Sequence, residues 1–124
     1  MKVLIATQKP FAAAAVKGVR EILEGAGHEV VLLEKYAEAK DLIDAVADVE
    51  AMIIRSDKVT PEVLDAAKKL KIVVRAGAGF DNVDLAAATA HGVVVENTPG
   101  QNANAVAELA IALMIFMSRN QFTP

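Results

Sequence analysis

Cysteine and tryptophan are absent from this 124-residue sequence, and aromatic residues make up only 4% of it. Without cysteine, neither a disulfide framework nor a thiolate metal site can form. Basic residues are not in excess either: 13 Lys+Arg face 16 Asp+Glu, for a formal net charge of −3. A nucleic-acid clamp needs a basic surface to displace counterions, so nucleic acid is not an expected partner. No run of about 18 apolar residues occurs, so no segment is expected to span a membrane. Met1-Lys2-Val3-Leu4-Ile5-Ala6 reads as a first strand and lacks the longer apolar core and cleavage site of a signal peptide. These absences point to a soluble, cytoplasmic globular domain.

What the sequence has is apolar residues, 54% of the total, enough for a real core. They fall into short runs alternating with longer amphipathic stretches. The runs at 3–6, 29–33, 51–54, 72–74 and 93–95 are brief, rich in β-branched residues and without polar alternation. Strands buried on both faces of a parallel sheet read this way. Between them, residues 11–25 place Val16, Val19, Ile22 and Leu23 at helical spacing and stop at Gly25 and Gly27. Residues 40–49 repeat the pattern with Leu42, Ile43 and Val46. Thr60-Pro61 places a capping residue before a proline at the first helical position. A short helix over 84–91 stops at Gly92, and the longest and most apolar helix covers 102–119. Five βα units in series predict an α/β fold: a flavodoxin-like, doubly wound, five-stranded parallel sheet of order 2-1-3-4-5. The last helix is apolar nearly all round, whereas a surface helix needs one stripe, so it is expected to meet a second partner.

Ligands of open parallel sheets bind outside the carboxyl ends of the strands. Arg55 and Ser56 follow the third strand, and Arg75-Ala76-Gly77-Ala78-Gly79 ends the fourth. In the expected order these strands are neighbours, roughly 4.8 Å apart. Two guanidiniums on one edge, beside glycines that expose backbone N–H groups, fit a small multiply anionic ligand. The bland alternative is that each arginine pairs with a surface carboxylate such as Asp57 or Asp81. Gly77-Ala78-Gly79 begins like a dinucleotide fingerprint, but Asn82 stands at the third glycine position and the turn follows the fourth strand, so it is no complete NAD site. His28 and His91 both precede strands, on the opposite edge, and read as structural. No metal cluster and no nucleophile triad can be assembled on the ligand edge.

Ile54-Arg55-Ser56, then Arg75 through Asp84 (RAGAGFDNVD), then Asn97-Thr98-Pro99, then Asn102 through Glu108 (NANAVAE) occur in this order. This resembles the amino-terminal part of the D-isomer-specific 2-hydroxyacid dehydrogenases, nearest to their D-3-phosphoglycerate branch in serine biosynthesis, and the likeness covers the whole chain. The resemblance implies that Arg55 and Ser56 hold the phosphate or distal end of the substrate. Arg75 would lie at the same site, and the N–H groups around Ala76, Gly77 and Ala78 would hold the carboxylate. Ala78 would touch the nicotinamide end of NAD. The implied ligand is a small anion, 3-phosphoglycerate or phosphohydroxypyruvate. Residues 1–99 would form the substrate-binding domain, and residues 100–124 a closing helix that leads, past a hinge at Asn97-Thr98-Pro99, into a cofactor domain. In the family the helix from Asn102 would lean on that domain and on a second subunit. In this chain it would either fold back onto strands one and three as a monomer or, the favoured outcome, form a homodimer, paired or swapped, through helix 102–119. The family's full glycine fingerprint and its catalytic Arg, Glu and His do not occur in these residues, so a truncated domain is expected. It would have no catalytic residue of its own, bind no cofactor and transfer no hydride alone.

Two other readings remain. A free-standing flavodoxin-like binding or signalling module would need an acidic cluster after strand one or a phosphate loop, and Thr7-Gln8-Lys9-Pro10 supplies neither. A scaffold chosen for its fold would share the dehydrogenase ancestry.

Overall fold

The computed structural model describes residues 1–119. Residues 120–124 of the expected closing segment lie outside the described residues. Ten elements alternate: β1 (Lys2–Thr7), α1 (Ala13–Gly25), β2 (Glu29–Glu34), α2 (Ala39–Ala45), β3 (Ala51–Ile54), α3 (Pro61–Ala66), β4 (Ile72–Arg75), α4 (Leu85–Ala90), β5 (Val94–Glu96) and α5 (Ala103–Ser118). The strands form one parallel sheet of order β2-β1-β3-β4-β5, as the βα series predicts.

The two faces of the sheet are unequally covered. Leu4, Ala6, Met52, Ile54 and Val73 point to one face and pack with Leu42 and Val46 of the second helical region, Val63 and Leu64 of α3, and Ala88 of α4. That face is the core. The alternate residues Ile5 and Ile53 point the other way, where they line an apolar cavity with Phe11, Ala15, Val16 and Val19. α1 covers this second face without burying any residue fully, and its Ile22 stays 74% exposed. Over β4 and β5 the second face is barer still, with Val94 exposed.

Several boundaries moved. α1 begins at Ala13 rather than residue 11, because Pro10 and Phe11 belong to the loop leaving β1. α2 ends at Ala45, well before residue 49. Val46 and Val49 are nonetheless buried, since the chain turns to carry the Glu50 N–H onto the Lys2 carbonyl and into β3. The Thr60 hydroxyl accepts from the Val63 N–H at 3.4 Å with Pro61 at the first helical position, and Asp84 caps α4 through the Ala87 N–H at 2.9 Å. α4 ends against Gly92, whose φ of +69° lies where side chains other than glycine are strained.

Candidate functional site

The carboxyl ends of the strands carry a polar cavity of about 570 Å³. Its floor comes from β3 and β4 through Arg55, Ser56 and Arg75, and one wall from Ala76, Gly77 and Ala78. Lys9, Thr98, Gln101 and Asn102 complete it. Every substrate-site residue expected from the sequence is therefore present, together with Ala78. Gln101 and Asn102 were not anticipated as lining residues. They lie before the last helix, where only the path of the chain after β5 brings them over the site.

The cavity carries three cationic side chains, Lys9, Arg55 and Arg75, and no carboxylate lines it. The bland alternative of surface ion pairs fails for these three: among the described residues none of them meets a carboxylate within salt-bridge distance. Lys2, Lys17 and Lys71, by contrast, each do. Asp57 is drawn inward instead. It is only 3% exposed and accepts from the Gln8 N–H at 2.8 Å, the Arg55 N–H at 3.3 Å and the Tyr36 hydroxyl. One carboxylate thereby ties together the loops after β1, β2 and β3. Burial, then the bond to Asp57, pushes the Tyr36 hydroxyl well above its usual pKa of 10.0.

Arg75 is held by its surroundings rather than by an ion pair. Its Nε donates to the Arg55 carbonyl at 2.8 Å, and the Asn82 amide reaches the same carbonyl at 3.3 Å and the Asp57 carbonyl at 2.6 Å. The guanidinium then lies across Gly77. A Cβ at that glycine would stand 2.3 Å from Arg75 Nη1 and 2.8 Å from Cζ. Glycine is present because arginine occupies the space. Arg55 is looser: Nη1 is 3.5 Å from the Pro10 carbonyl, and the group lies 5.9 Å above the Phe11 ring.

The expected roles of the backbone need one correction. The Ala76 N–H is spent on the Ile54 carbonyl at 2.8 Å, extending the parallel ladder, and the Gly77 N–H on the Arg75 carbonyl at 2.9 Å. Of the three expected donors only Ala78 keeps a free N–H, joined by Gly79, among the described residues. The segment after β5 is stitched to the same turn, with the Thr98 N–H on the Gly77 carbonyl at 2.9 Å and the Asn97 amide on the Ala78 carbonyl at 2.7 Å. His28 and His91 sit at the other edge, where His28 Nδ1 meets the amino terminus at 3.0 Å and His91 Nε2 meets Asp65 at 2.8 Å. No metal-ligating cluster occurs among the described residues.

Residues 5–121 match the family profile described as "D-isomer specific 2-hydroxyacid dehydrogenase, catalytic domain". The chain belongs to this family. It is 46% identical over 101 residues to D-3-phosphoglycerate dehydrogenase of Sus scrofa, covering 81% of this chain and 19% of that protein. The enzyme of the same name from Archaeoglobus fulgidus is 44% identical over 120 residues, 96% of this chain and 21% of that protein. A crystal structure of NAD+-bound 3-phosphoglycerate dehydrogenase from Entamoeba histolytica superimposes with a TM-score of 0.92 at 54% identity, over 100% of this chain and 41% of that one. The chain spans about a fifth of the length of these curated dehydrogenases.

The Entamoeba histolytica enzyme was solved with NAD+ bound, and the residues here fit a dinucleotide poorly. A dinucleotide turn needs glycine so that a pyrophosphate can approach the backbone. At Gly77 that space is taken by Arg75, and Asn82 is engaged with the backbone of Arg55 and Asp57. The glycine turn instead lines the polar cavity, with Ala78 at its rim.

Proposed function

We propose that this chain is the substrate-holding part of an NAD-dependent D-3-phosphoglycerate dehydrogenase, taking 3-phosphoglycerate or phosphohydroxypyruvate into the cavity between β3 and β4. The observation that carries the reading is a cavity of three cations that meet no carboxylate among the described residues, at the edge where this fold binds ligands. A phosphate monoester carries about −1.5 to −2 charges at pH 7, and a carboxylate adds one more. Arg55 and Ser56 take the phosphoryl end. Arg75, with the free N–H groups of Ala78 and Gly79, takes the carboxylate.

In the whole enzyme a bound nicotinamide cofactor would supply the hydride-transfer chemistry. Within residues 1–124 the work is binding and orientation. Among the described residues no histidine or carboxylate faces the cavity, because both histidines lie at the opposite edge and Asp57 is bound up in its loops. A polypeptide of these 124 residues alone is inactive and binds no dinucleotide. The same engagement of Asp57 speaks against a phospho-accepting signalling module, which needs that carboxylate free and beside a metal. Titration of the chain with 3-phosphoglycerate, followed by backbone amide shifts, tests the site. Shifts are expected at Arg55, Ser56, Arg75 and Ala78 to Gly79 at millimolar ligand. Shifts gathered around His28 or His91 would place the site on the wrong edge.

α5 exposes Leu109, Leu113, Met114 and Met117 at 60%, 45%, 67% and 70%. A homodimer through this helix covers them.

A further inference from the structure

Resting on that reading of the cavity, we infer that Lys9 is a specificity-determining residue, the third cation that makes the site select a phosphorylated hydroxy acid over its unphosphorylated counterpart. Two arginines suffice for a ligand with one charge at each end. A third unpaired cation in the same cavity matches the extra charge of a phosphoryl dianion, and Lys9 is that cation.

An exposed lysine is ordinarily a solvated, mobile point charge. Lys9 differs in how its backbone is held. The residue before it donates its N–H to buried Asp57 at 2.8 Å. Its own carbonyl accepts from the Thr7 hydroxyl, and Thr7 is fully buried. The carbonyl of the residue after it, Pro10, faces Arg55 Nη1 at 3.5 Å. Three successive residues are thus fixed, and proline restricts the backbone further. The stem of Lys9 leaves from a set position on the cavity rim, on the side where Arg55 reaches toward Pro10. Its backbone thus adjoins Pro10, whose carbonyl faces the arginine assigned to the phosphoryl end. Among the described residues no carboxylate neutralises it.

Binding of 3-phosphoglycerate and of D-glycerate to the full chain, measured by amide-shift titration at fixed ionic strength, tests this. Lys9→Ala is expected to weaken 3-phosphoglycerate about tenfold, the loss of one charge-assisted contact, and D-glycerate less than about twofold. Lys9→Arg is expected to restore most of the difference. Lys9 is exposed, so an unchanged amide spectrum of the free variant serves as the folding check. Equal weakening of both ligands, or no weakening of either, overturns the assignment. If Arg75→Ala abolishes binding while Lys9→Ala leaves both ligands untouched, only Lys9 is wrongly assigned. If the unsubstituted chain binds neither ligand at this edge, the reading of the cavity falls with it.

Discussion

Arg75 and Gly77 act as one unit, and the two can be separated by experiment. Gly77→Ala would set its Cβ 2.3 Å from the guanidinium, whose flexible end can swing aside. The expected outcome is a stability change within about 1 kcal/mol but anion binding weakened about as much as by Arg75→Ala, read by denaturant melts beside ligand titration. Asp57 has the opposite profile. It does not line the cavity and lies at the meeting of three loops, so Asp57→Ala orphans the Gln8 N–H and the Tyr36 hydroxyl and is expected to cost about 2–3 kcal/mol. Tyr36 gives a pH signature. Its raised pKa keeps the folded state protonated after the unfolded chain begins to ionise near 10.0. The unfolded state then binds fewer protons, so stability falls as pH rises above about 10. Tyr36→Phe should flatten that alkaline decline while lowering stability at pH 7; an unchanged alkaline slope would remove Tyr36 as its source.

At the scale of elements, caps and strands were the most legible features. Thr60-Pro61, Asp84 and Gly92 mark helix ends through short-range chemistry, and the structure puts helix ends there. Thr60→Ala is expected to cost about 0.5–1 kcal/mol, near the lower end for caps because the bond is 3.4 Å long; circular dichroism melts measure it. α2 and the start of α1 were misjudged for one reason. Val46, Val49 and Phe11 sit at helical spacing, but each is buried or stacked from a turn or loop. Apolar periodicity reports which residues need cover, not which backbone conformation supplies it.

Over the whole molecule, the unequal faces decide behaviour. The face beneath α2, α3 and α4 is packed, whereas α1 leaves a cavity and α5 buries no residue. In proteins most helical stability comes from tertiary packing, and α5 buries no residue in this structure. Each of its large apolar side chains forgoes about 1.5–3 kcal/mol while exposed, so several together rival the 5–15 kcal/mol typical of a whole domain. Sedimentation of the 124-residue chain at several concentrations should show association that weakens when Leu109 and Leu113 are both changed to Gln. A monomer at every concentration, with no dye binding to apolar surface, would count against a dimer through α5.

The sheet order, the adjacency of Arg55 and Arg75 at the carboxyl edge and the place of both histidines at the other edge all followed from the amino-acid sequence. Strand burial, caps and right-handed crossovers depend on short stretches of chain and on rules common to parallel sheets. The tertiary structure alone decided which groups are free to bind. It showed that the Ala76 and Gly77 N–H groups are consumed within the fold, that Asp57 belongs to three loops, and that Lys9 and Asn102 close the cavity. The physical reason is that a donor's availability depends on which distant acceptors the fold brings within about 3 Å, and no local pattern in the chain carries that distance.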